Sequence, residues 1–271
     1  MEPLSEALHV YMLGRVDLDA LLAWQDRLAY EVSGGDFGAL VLCDHATGIT
    51  IGREGSRRHV RPGPEELHAR EWPLRWVGRG GGAMLHVPGQ IACYPVLSLD
   101  RLKMTPAAFV AAMQQLVVEL VQGYDLPAEA DAQQPGVRFR GRRAAHIGFA
   151  IRNGISTFGI VLNVDPDLEL FYNIYCDGDS LPMTSLQRET TSRVRIAEVR
   201  QRLLAKIAER FGFGRVSLFQ SLLNNPVVKS SDCVKLEVRQ TSKSAKTSQN
   251  GCFRFGLDMP RLFPPHRVIE K

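Results

Sequence analysis

One short segment, residues 79–90, combines residue types suited to binding a ligand. Three successive glycines let the backbone approach a ligand without obstruction by Cβ atoms, and an arginine before them and a histidine after them supply polar contacts at the rim. The pattern is neither GxGxxG nor a P-loop, so cradling of a phosphate by those mechanisms is disfavoured. Taken alone, the segment is more typical of a hairpin with flexible glycines than of a ligand site. It reads Arg79, Gly80, Gly81, Gly82, Ala83, Met84, Leu85, His86, Val87, Pro88, Gly89 and Gln90.

Three amphipathic segments are predicted to be helices that support this loop. Asp17 is a candidate N-cap for a helix that ends at Gly34-Gly35, with apolar residues at three- and four-residue steps. Thr105-Pro106 forms a cap and first-turn pair that opens a second helix, which Gly123 ends. A third helix is expected over roughly residues 184–211.

Apolar runs between these helices predict strands. Residues 39–43 have strand length, and residues 48–52 resemble the continuation or the partner of that strand. Residues 84–99 predict two strands around the turn signal Pro88-Gly89, and a further alternating stretch covers residues 145–164. Because helices and strands alternate, the sequence predicts an α/β fold in which helices pack on a mixed sheet, an α+β arrangement in one large domain.

The charge of the chain divides it in two. Its formal net charge is +4, but residues 227–271 carry +5, which leaves the rest at −1. We therefore expect a domain over residues 1–213 and a basic, Ser/Thr-rich extension over residues 214–271 that is partly flexible. Nucleic-acid binding would depend on this extension alone, so it is the least favoured class.

The overall composition excludes several other classes of protein. With 45% hydrophobic and 23% charged residues, the chain is neither disordered nor collagen-like. Its five cysteines are odd in number and form no CxxC pair, which argues against a disulfide framework and a zinc site. The first ten residues lack the features of a secretory signal, and no apolar run approaches the ~18 residues of a membrane span. We expect a cytoplasmic protein.

Several segments, taken in order, resemble the lipoyl(octanoyl) transferases of the lipoate-protein ligase B type. The resemblance covers about residues 10–212, and several motifs in one order are far more specific than any single motif. The matching segments are Asp44-His45, Ile49–Arg53, the loop from Arg79 to Gln90, Gly141–Gly148, Phe158–Val164, Cys176–Gly178 and Met183–Leu186.

This resemblance implies a fold, a reaction and a set of contact residues. The fold would be that of the biotinyl/lipoyl protein ligases. The enzyme would take an octanoyl group from acyl carrier protein onto a cysteine and pass it to a lysine of a lipoyl domain, in a 2-oxoacid dehydrogenase or the glycine cleavage H protein. It would need no metal, ATP or other cofactor, and we expect a monomer. The residues in the family's substrate-contact regions are Arg79, Gly80, Gly81, Gly82, Ala83, Met84, Leu85, His86, His146, Ile147, Gly148, Gly159, Ile160 and Val161.

Two departures from the family pattern fall on the catalytic pair. The family's lysine aligns with Arg143, and its cysteine aligns with Asp177, while Cys176 lies one residue earlier. An arginine can stabilise a thiolate by its charge, but its pKa above ~12 prevents it from exchanging protons at neutral pH. The candidate catalytic residues are Cys176, Arg143, His146 and Asp177.

Three interpretations of this pair stay open. A shift of the loop by one residue would let Cys176 act as the nucleophile, although the charge of Asp177 would oppose formation of its thiolate. Alternatively, His146 would serve as the general base for Cys176, and His86 is the second candidate for this role. Finally, the domain would bind a lipoyl domain, a carrier protein or an acyl chain without turnover, with Cys176 a buried apolar residue and His146 a structural one. An ATP-dependent lipoate ligase is a fourth possibility, which the missing lysine at position 143 disfavours.

Overall fold

The structure, a computed structural model, describes residues 4–178, 180–221 and 233–239. Helices and strands alternate along the chain. The helices are α1 (Leu18–Gly34), α2 (Pro64–Ala69), α3 (Leu99–Leu102), α4 (Pro106–Gln122), α5 (Leu186–Glu189) and α6 (Ile196–Arg210). The strands are β1 (Leu4–Arg15), β2 (Phe37–Asp44), β3 (Gly48–Ile51), β4 (Leu74–Trp76), β5 (Ala83–His86), β6 (Gln90–Val96), β7 (Ala128–Ala130), β8 (Gly136–Phe139), β9 (Arg142–Arg152), β10 (Ile155–Asn163), β11 (Phe213–Ser221) and β12 (Cys233–Arg239).

Nine of these strands form one mixed sheet in the order β12-β11-β1-β2-β6-β10-β9-β8-β7. Strand β1, third from one edge, pairs in parallel with both β11 and β2, and the remaining pairs of this sheet are antiparallel. The sheet thus confirms the predicted mixed α/β fold. Because β11 begins at Phe213, the sheet continues past residue 213, where we expected the domain to end. The division of the chain stays a prediction, and most of the expected extension lies outside the described residues.

Helices cover both faces of this sheet. On one face, α1 buries Leu21, Leu28 and Val32 against alternate residues of β2 and β6. On the other face, α4 and α6 pack over the larger core, in which Phe109 and Leu203 are buried. Both predicted N-caps are confirmed, because the Asp17 carboxylate accepts from the amide of Ala20 and the Thr105 hydroxyl accepts from the amide of Ala108.

The second sheet has three strands in the order β4-β3-β5. The expectation that residues 48–52 continue or pair with β2 was wrong, because β3 pairs with β4 and β5. Residues of β3 instead pack in a separate cluster of buried apolar side chains, which we call the small apolar cluster. Its fully or largely buried members are Ile49, Ile51, Val60, Leu67, Ala83, Leu85, Val87, Phe171, Ile174 and Cys176.

The predicted third helix is interrupted. Residues 190–195 separate α5 from α6, since local polar side chains there bond to the backbone. The Thr190 hydroxyl donates to the carbonyl of Leu186 at 2.8 Å, and the Gln187 side chain accepts from the amide of Val194 at 2.9 Å. Such bonds compete with continuation of a helix. No helix within the described ranges is long and apolar enough to cross a membrane.

Candidate active site

The glycine loop, residues 78–82, connects β4 with β5 and lies directly against β9. The amide of Gly80 donates to the carbonyl of Phe149 at 2.9 Å. A Cβ on Gly148 would come within 2.7 Å of the Gly80 carbonyl oxygen, and one on Gly82 would lie 2.6 Å from the Cα of Asp177. Two glycines are therefore required for the close approach of three chain segments.

Arg79 is a buried cation at the centre of this loop. Its guanidinium donates to the Thr50 hydroxyl at 2.9 Å and to the carbonyls of Thr50 and Gly80. Burial lowers the pKa of Arg79, and the negative charge of Asp177 acts in the opposite direction. The side chain is thus held by neutral acceptors beside an acidic neighbour.

His86 is a buried, neutral imidazole. Its Nε2 lies 3.0 Å from the Thr50 hydroxyl, and its ring meets the ring of His45 edge-on at 5.3 Å. His45 in turn bonds to the Tyr94 hydroxyl at 2.8 Å. Burial holds the pKa of His86 well below its ordinary value, and the neighbouring His45 and Arg79 lower it further. His86 therefore helps to shape the site in its uncharged form.

A narrow pocket opens between the glycine loop and α1. In this conformation its free volume is about 10 Å³, roughly the room needed by one water molecule. Its polar end carries Thr50, Arg79 and His86, whereas apolar side chains and two glycines line the remainder. These other lining residues are Leu18, Leu22, Met84, Tyr94, Gly148, Phe158, Gly159 and Val161. An apolar pocket with a few convergent polar groups is the form expected of a small-molecule site.

Beside the polar end lies a buried group of charged and polar residues, which we call the charged network: Asp131, Arg143, His146 and Asp177. The Arg143 guanidinium bonds to the carboxylates of Asp177 at 2.6 Å and Asp131 at 2.8 Å. Nδ1 of His146 lies 2.9 Å from the same oxygen of Asp177. The other oxygen of Asp177 accepts from the amide of Gly82 at 2.7 Å. The side chains of Arg143 and His146 are completely buried.

The charge states in this network follow from burial and pairing. Burial alone would raise the pKa of Asp177, but the hydrogen bond from His146 and the charges of Arg143 and Arg79 hold it well below its ordinary value. Burial lowers the pKa of His146 more than its bond to Asp177 raises it. Asp177 is therefore ionised and His146 neutral near pH 7.

These charge states fix the tautomer of His146. A carboxylate can only accept hydrogen bonds, so Nδ1 of His146 carries the proton and Nε2 is an unprotonated acceptor. Nε2 is buried and has no hydrogen-bond partner among the described residues. The charge of Arg79 lowers the pKa of His146, and His146 in turn lowers the pKa of His86. The His146 ring therefore lies close to the polar end of the pocket.

Cys176 packs in the small apolar cluster, although the charges of Asp177, Arg143 and Arg79 still act on its thiol. Its side chain is 1% exposed. Burial raises the pKa of the Cys176 thiol to about 12, and Asp177 adds to the effect. Asp177 has a φ of 53°, in the left-handed region that aspartate tolerates better than most residues. This backbone turn lets two consecutive side chains enter different surroundings.

The structure brings most of the predicted site residues together. Arg79, Met84, His86, Gly148, Gly159 and Val161 line the pocket, and Arg143, His146 and Asp177 form the adjacent network. Gly81 and Gly82 lie against Asp177 and Gly80 against Gly148, so the three glycines border the site without lining the pocket. Others do not face it: Ala83, Leu85 and Cys176 pack in the small apolar cluster, and Ile147 and Ile160 pack in the larger core.

Sequence reasoning missed two polar residues of the site, Asp131 and Thr50, and four residues that line the pocket, Leu18, Leu22, Tyr94 and Phe158. Asp131, in the loop between β7 and β8, bonds to Arg138 at 2.6 Å as well as to Arg143. It is far from every motif in the chain, and no local pattern marks it. Thr50 lies inside a matched motif, but only its contacts with Arg79 and His86 indicate its role.

Comparison with known proteins assigns this chain to a family. The family described as lipoyl protein ligase A/B catalytic domain matches residues 17–208. The octanoyltransferase of Chloroflexus aggregans is 34% identical over 209 residues, which cover 75% of this chain and 95% of the relative. The octanoyltransferase of Azotobacter vinelandii is 36% identical over 202 residues, which cover 72% of this chain and 88% of the relative.

Solved structures of low sequence identity share the fold. A lipoate-protein ligase A bound with ATP superposes with a TM-score of 0.66 at 17% identity, covering 77% of this chain and 86% of the other. The bipartite lipoate protein ligase of Thermoplasma acidophilum, studied with its E2 lipoyl domain, gives 0.66 at 17% identity, covering 82% and 88%. The chain belongs to the lipoyl protein ligase A/B catalytic family, and its relatives make it by family an acyltransferase of the octanoyltransferase type.

Proposed function

We propose that this protein transfers a medium-chain acyl group to a lysine of a lipoyl domain without forming a thioester on Cys176. One observation carries the proposal: the side chain that contacts the glycine loop is that of Asp177, whereas the side chain of Cys176 packs in the small apolar cluster. The donor would be an acyl carrier protein, and the acceptor a lipoyl domain of a 2-oxoacid dehydrogenase or of the glycine cleavage H protein. The setting would be the cytoplasm, with the protein acting as a monomer.

Once the glycine loop shifts to widen the pocket, we expect it to bind the acyl group in one orientation. Its apolar walls, including Leu18, Leu22 and Phe158, suit the alkyl chain, and its polar end at Arg79 suits the carbonyl. This orientation puts the carbonyl carbon next to the charged network. No further cofactor is needed for such a transfer, because the thioester of the donor is already activated.

Neither Cys176 nor Asp177 is suited to be the nucleophile. The thiolate is the reactive form of cysteine, and a thiol with a pKa of about 12 in an apolar cluster is almost fully protonated at neutral pH. Asp177 is ionised, but its oxygens already accept bonds from Arg143, His146 and Gly82. The lysine of the acceptor would therefore attack the donor thioester directly.

His146 is the group that would manage the proton in this step. The lysine nitrogen forms a bond to the carbonyl carbon, the carbon–sulfur bond breaks, and the proton lost by the amine passes through Nε2 of His146 to the departing thiolate. Asp177 keeps the ring in the tautomer with a free Nε2. Because Nε2 is buried, the glycine loop has to shift for the reacting atoms to reach it.

A transfer assay with octanoyl carrier protein and a lipoyl domain tests this proposal. We expect Cys176→Ala to keep kcat within about twofold of the unmodified protein, and His146→Gln to lower kcat by about 10²-fold or more, as is typical for loss of a general base. Loss of transfer in Cys176→Ala with an unchanged melting temperature would show instead that the reaction passes through a thioester on Cys176.

A second candidate function is recognition of an acyl group or lipoyl domain without turnover. It is favoured by the buried pairing of Arg143 with Asp177, since Arg143 exchanges no proton and Asp177 is fully engaged. It predicts measurable affinity for octanamide and for the carrier or lipoyl domain, with no acylated lysine in the assay. Detection of any product that His146→Gln reduces would exclude this candidate.

A further inference from the structure

Two short segments, residues 57–61 and 172–178, lie side by side at the surface next to the charged network. An antiparallel bridge joins Val60 to Ile174, and both of these side chains are buried in the small apolar cluster. The second segment contains Asp177, whose carboxylate is part of the charged network. The outer face of the two segments is therefore a surface directly beside the candidate active site.

This surface carries a local positive charge. Arg58 and Arg61 are exposed, and the guanidinium of Arg57 donates to two backbone carbonyls. None of the three arginines forms an ion pair with a carboxylate among the described residues. The only carboxylate in the two segments, Asp177, is paired with Arg143. Because the chain before residue 227 has a net formal charge of −1, this charge is a local feature that favours an acidic partner.

Two tyrosines give the same surface an aromatic component. The guanidinium of Arg61 lies 4.6 Å from the centroid of the Tyr175 ring and donates to its hydroxyl at 2.9 Å. Tyr172 is 75% exposed. Tyrosine and arginine are the residue types enriched at the energetic centres of protein interfaces. We call Arg58, Arg61, Tyr172 and Tyr175 the arginine patch.

The patch lies within reach of a lysine side chain from the charged network. Tyr175 and Asp177 are two residues apart, so their Cα atoms are separated by at most about 7.6 Å. A Cβ on Gly178 would come within 2.9 Å of Cε1 of His59, which puts the segment of Arg58 equally close. A lysine nitrogen extends roughly 6 Å from its Cα, across five single bonds of about 1.5 Å. An acyl group on the long flexible arm of a carrier protein would not need so short a distance.

From these contacts we infer that the arginine patch docks the acceptor domain through carboxylates that flank the acceptor lysine. This inference rests on the proposed function, because it takes a lysine of a protein domain as the acceptor. Arg58 and Arg61 would pair with the carboxylates, and Tyr172 would pack against the turn that carries the lysine. The exposed Glu65 and Glu169, which flank the two segments along the chain, would limit the affinity. The patch would act by positioning the lysine and would touch no reacting atom.

Titration calorimetry of the full chain with an unmodified lipoyl domain, and separately with acyl carrier protein, tests the inference without requiring turnover. We expect Arg58→Glu to raise the Kd for the lipoyl domain about tenfold, because a repulsive charge replaces an attractive one. The Kd for acyl carrier protein should change by less than twofold. Binding of the lipoyl domain should weaken as the salt concentration rises, and less steeply in Arg58→Glu.

A second variant, a control and a charge exchange make the test specific. Arg61→Gln, which removes the other charge of the patch, should also weaken binding of the lipoyl domain. Arg193→Glu is the matched control, because this exposed arginine precedes Val194, which packs in the larger core instead. A lipoyl domain with a lysine in place of a carboxylate beside its acceptor lysine should bind the unmodified protein about tenfold more weakly and Arg58→Glu more tightly.

The possible outcomes separate the inference from the function on which it rests. An unchanged Kd for the lipoyl domain in Arg58→Glu and Arg61→Gln, with transfer by the unmodified protein, overturns the inference alone. A greater loss of carrier-protein binding than of lipoyl-domain binding also overturns it, since the donor would then dock on the patch. If the lipoyl domain does not bind and its lysine is not acylated, both the proposed function and this inference are wrong.

Discussion

At the scale of single residues, the site depends on the hydrogen bonds that the carboxylate of Asp177 accepts. Asp177 accepts hydrogen bonds from Arg143, His146 and the amide of Gly82, so its charge is fully compensated in a buried position. Arg143 needs both Asp177 and Asp131, because a completely buried guanidinium with one counter-ion removed is costly. Arg143 and Asp177 therefore form an ion pair at the two positions where the resemblance implies a proton-exchanging lysine and cysteine.

Removing this charge should destabilise the fold. Asp177→Asn leaves the Arg143 guanidinium buried beside Asp131 alone, and we expect the free energy of unfolding to fall by about 3 kcal/mol. Urea denaturation measures this loss, with Asp36→Asn at an exposed position as the matched control. A change below about 1 kcal/mol would show that Arg143 is not dependent on this partner.

The buried histidines predict how stability depends on pH. Burial lowers the pKa of His45, His86 and His146 in the folded protein, so the unfolded chain binds more protons below pH ~6.5. Stability should be fully present above that pH and should fall as the pH drops, by up to about 1.4 kcal/mol per pH unit for each histidine.

Urea denaturation between pH 7.5 and pH 5 measures this slope. His86→Gln should reduce it by about one third, whereas His68→Gln, at an exposed position, should leave it unchanged. Stability that is constant or rises toward pH 5 would mean that these histidines are charged in the folded protein.

At the scale of elements, the glycine loop depends on close contact with β9. In Gly148→Ala the new methyl group would collide with the carbonyl of Gly80, and backbone atoms give way only at a cost of about 1–3 kcal/mol. We expect the variant to fold but to bind octanamide at least tenfold more weakly, as titration calorimetry can measure. Gly34→Ala, where nothing lies within 4 Å of the added carbon, serves as the control. Unchanged binding in Gly148→Ala would show that the loop does not define the pocket.

Local signals predicted the elements well. Helices α1 and α4 begin where Asp17 and Thr105 cap them, since capping depends on residues three positions apart. The placement of β3 in a second sheet was not predictable, because its pairing with β5 joins residues more than thirty positions apart. The break after α5 depends on the contact of Thr190 with Leu186, and competing bonds of this kind leave only a weak trace in the sequence.

At the scale of the whole molecule, the ordered motifs predicted the family, the fold and most of the pocket. They could not predict which of two adjacent residues faces it, because that choice depends on the left-handed backbone of Asp177 and on the apolar cluster around Cys176. Nor could they identify Asp131, whose role is set by tertiary contact with Arg143.

The central claim is that the acyl group passes from the donor to the acceptor without becoming covalently attached to this protein. Intact-mass spectrometry of a single-turnover mixture of the protein, octanoyl carrier protein and a lipoyl domain tests it most directly. We predict octanoylation of the lipoyl-domain lysine, with no octanoyl adduct on the protein at any time point. An adduct that appears before the product, and that Cys176→Ala removes, would contradict the claim.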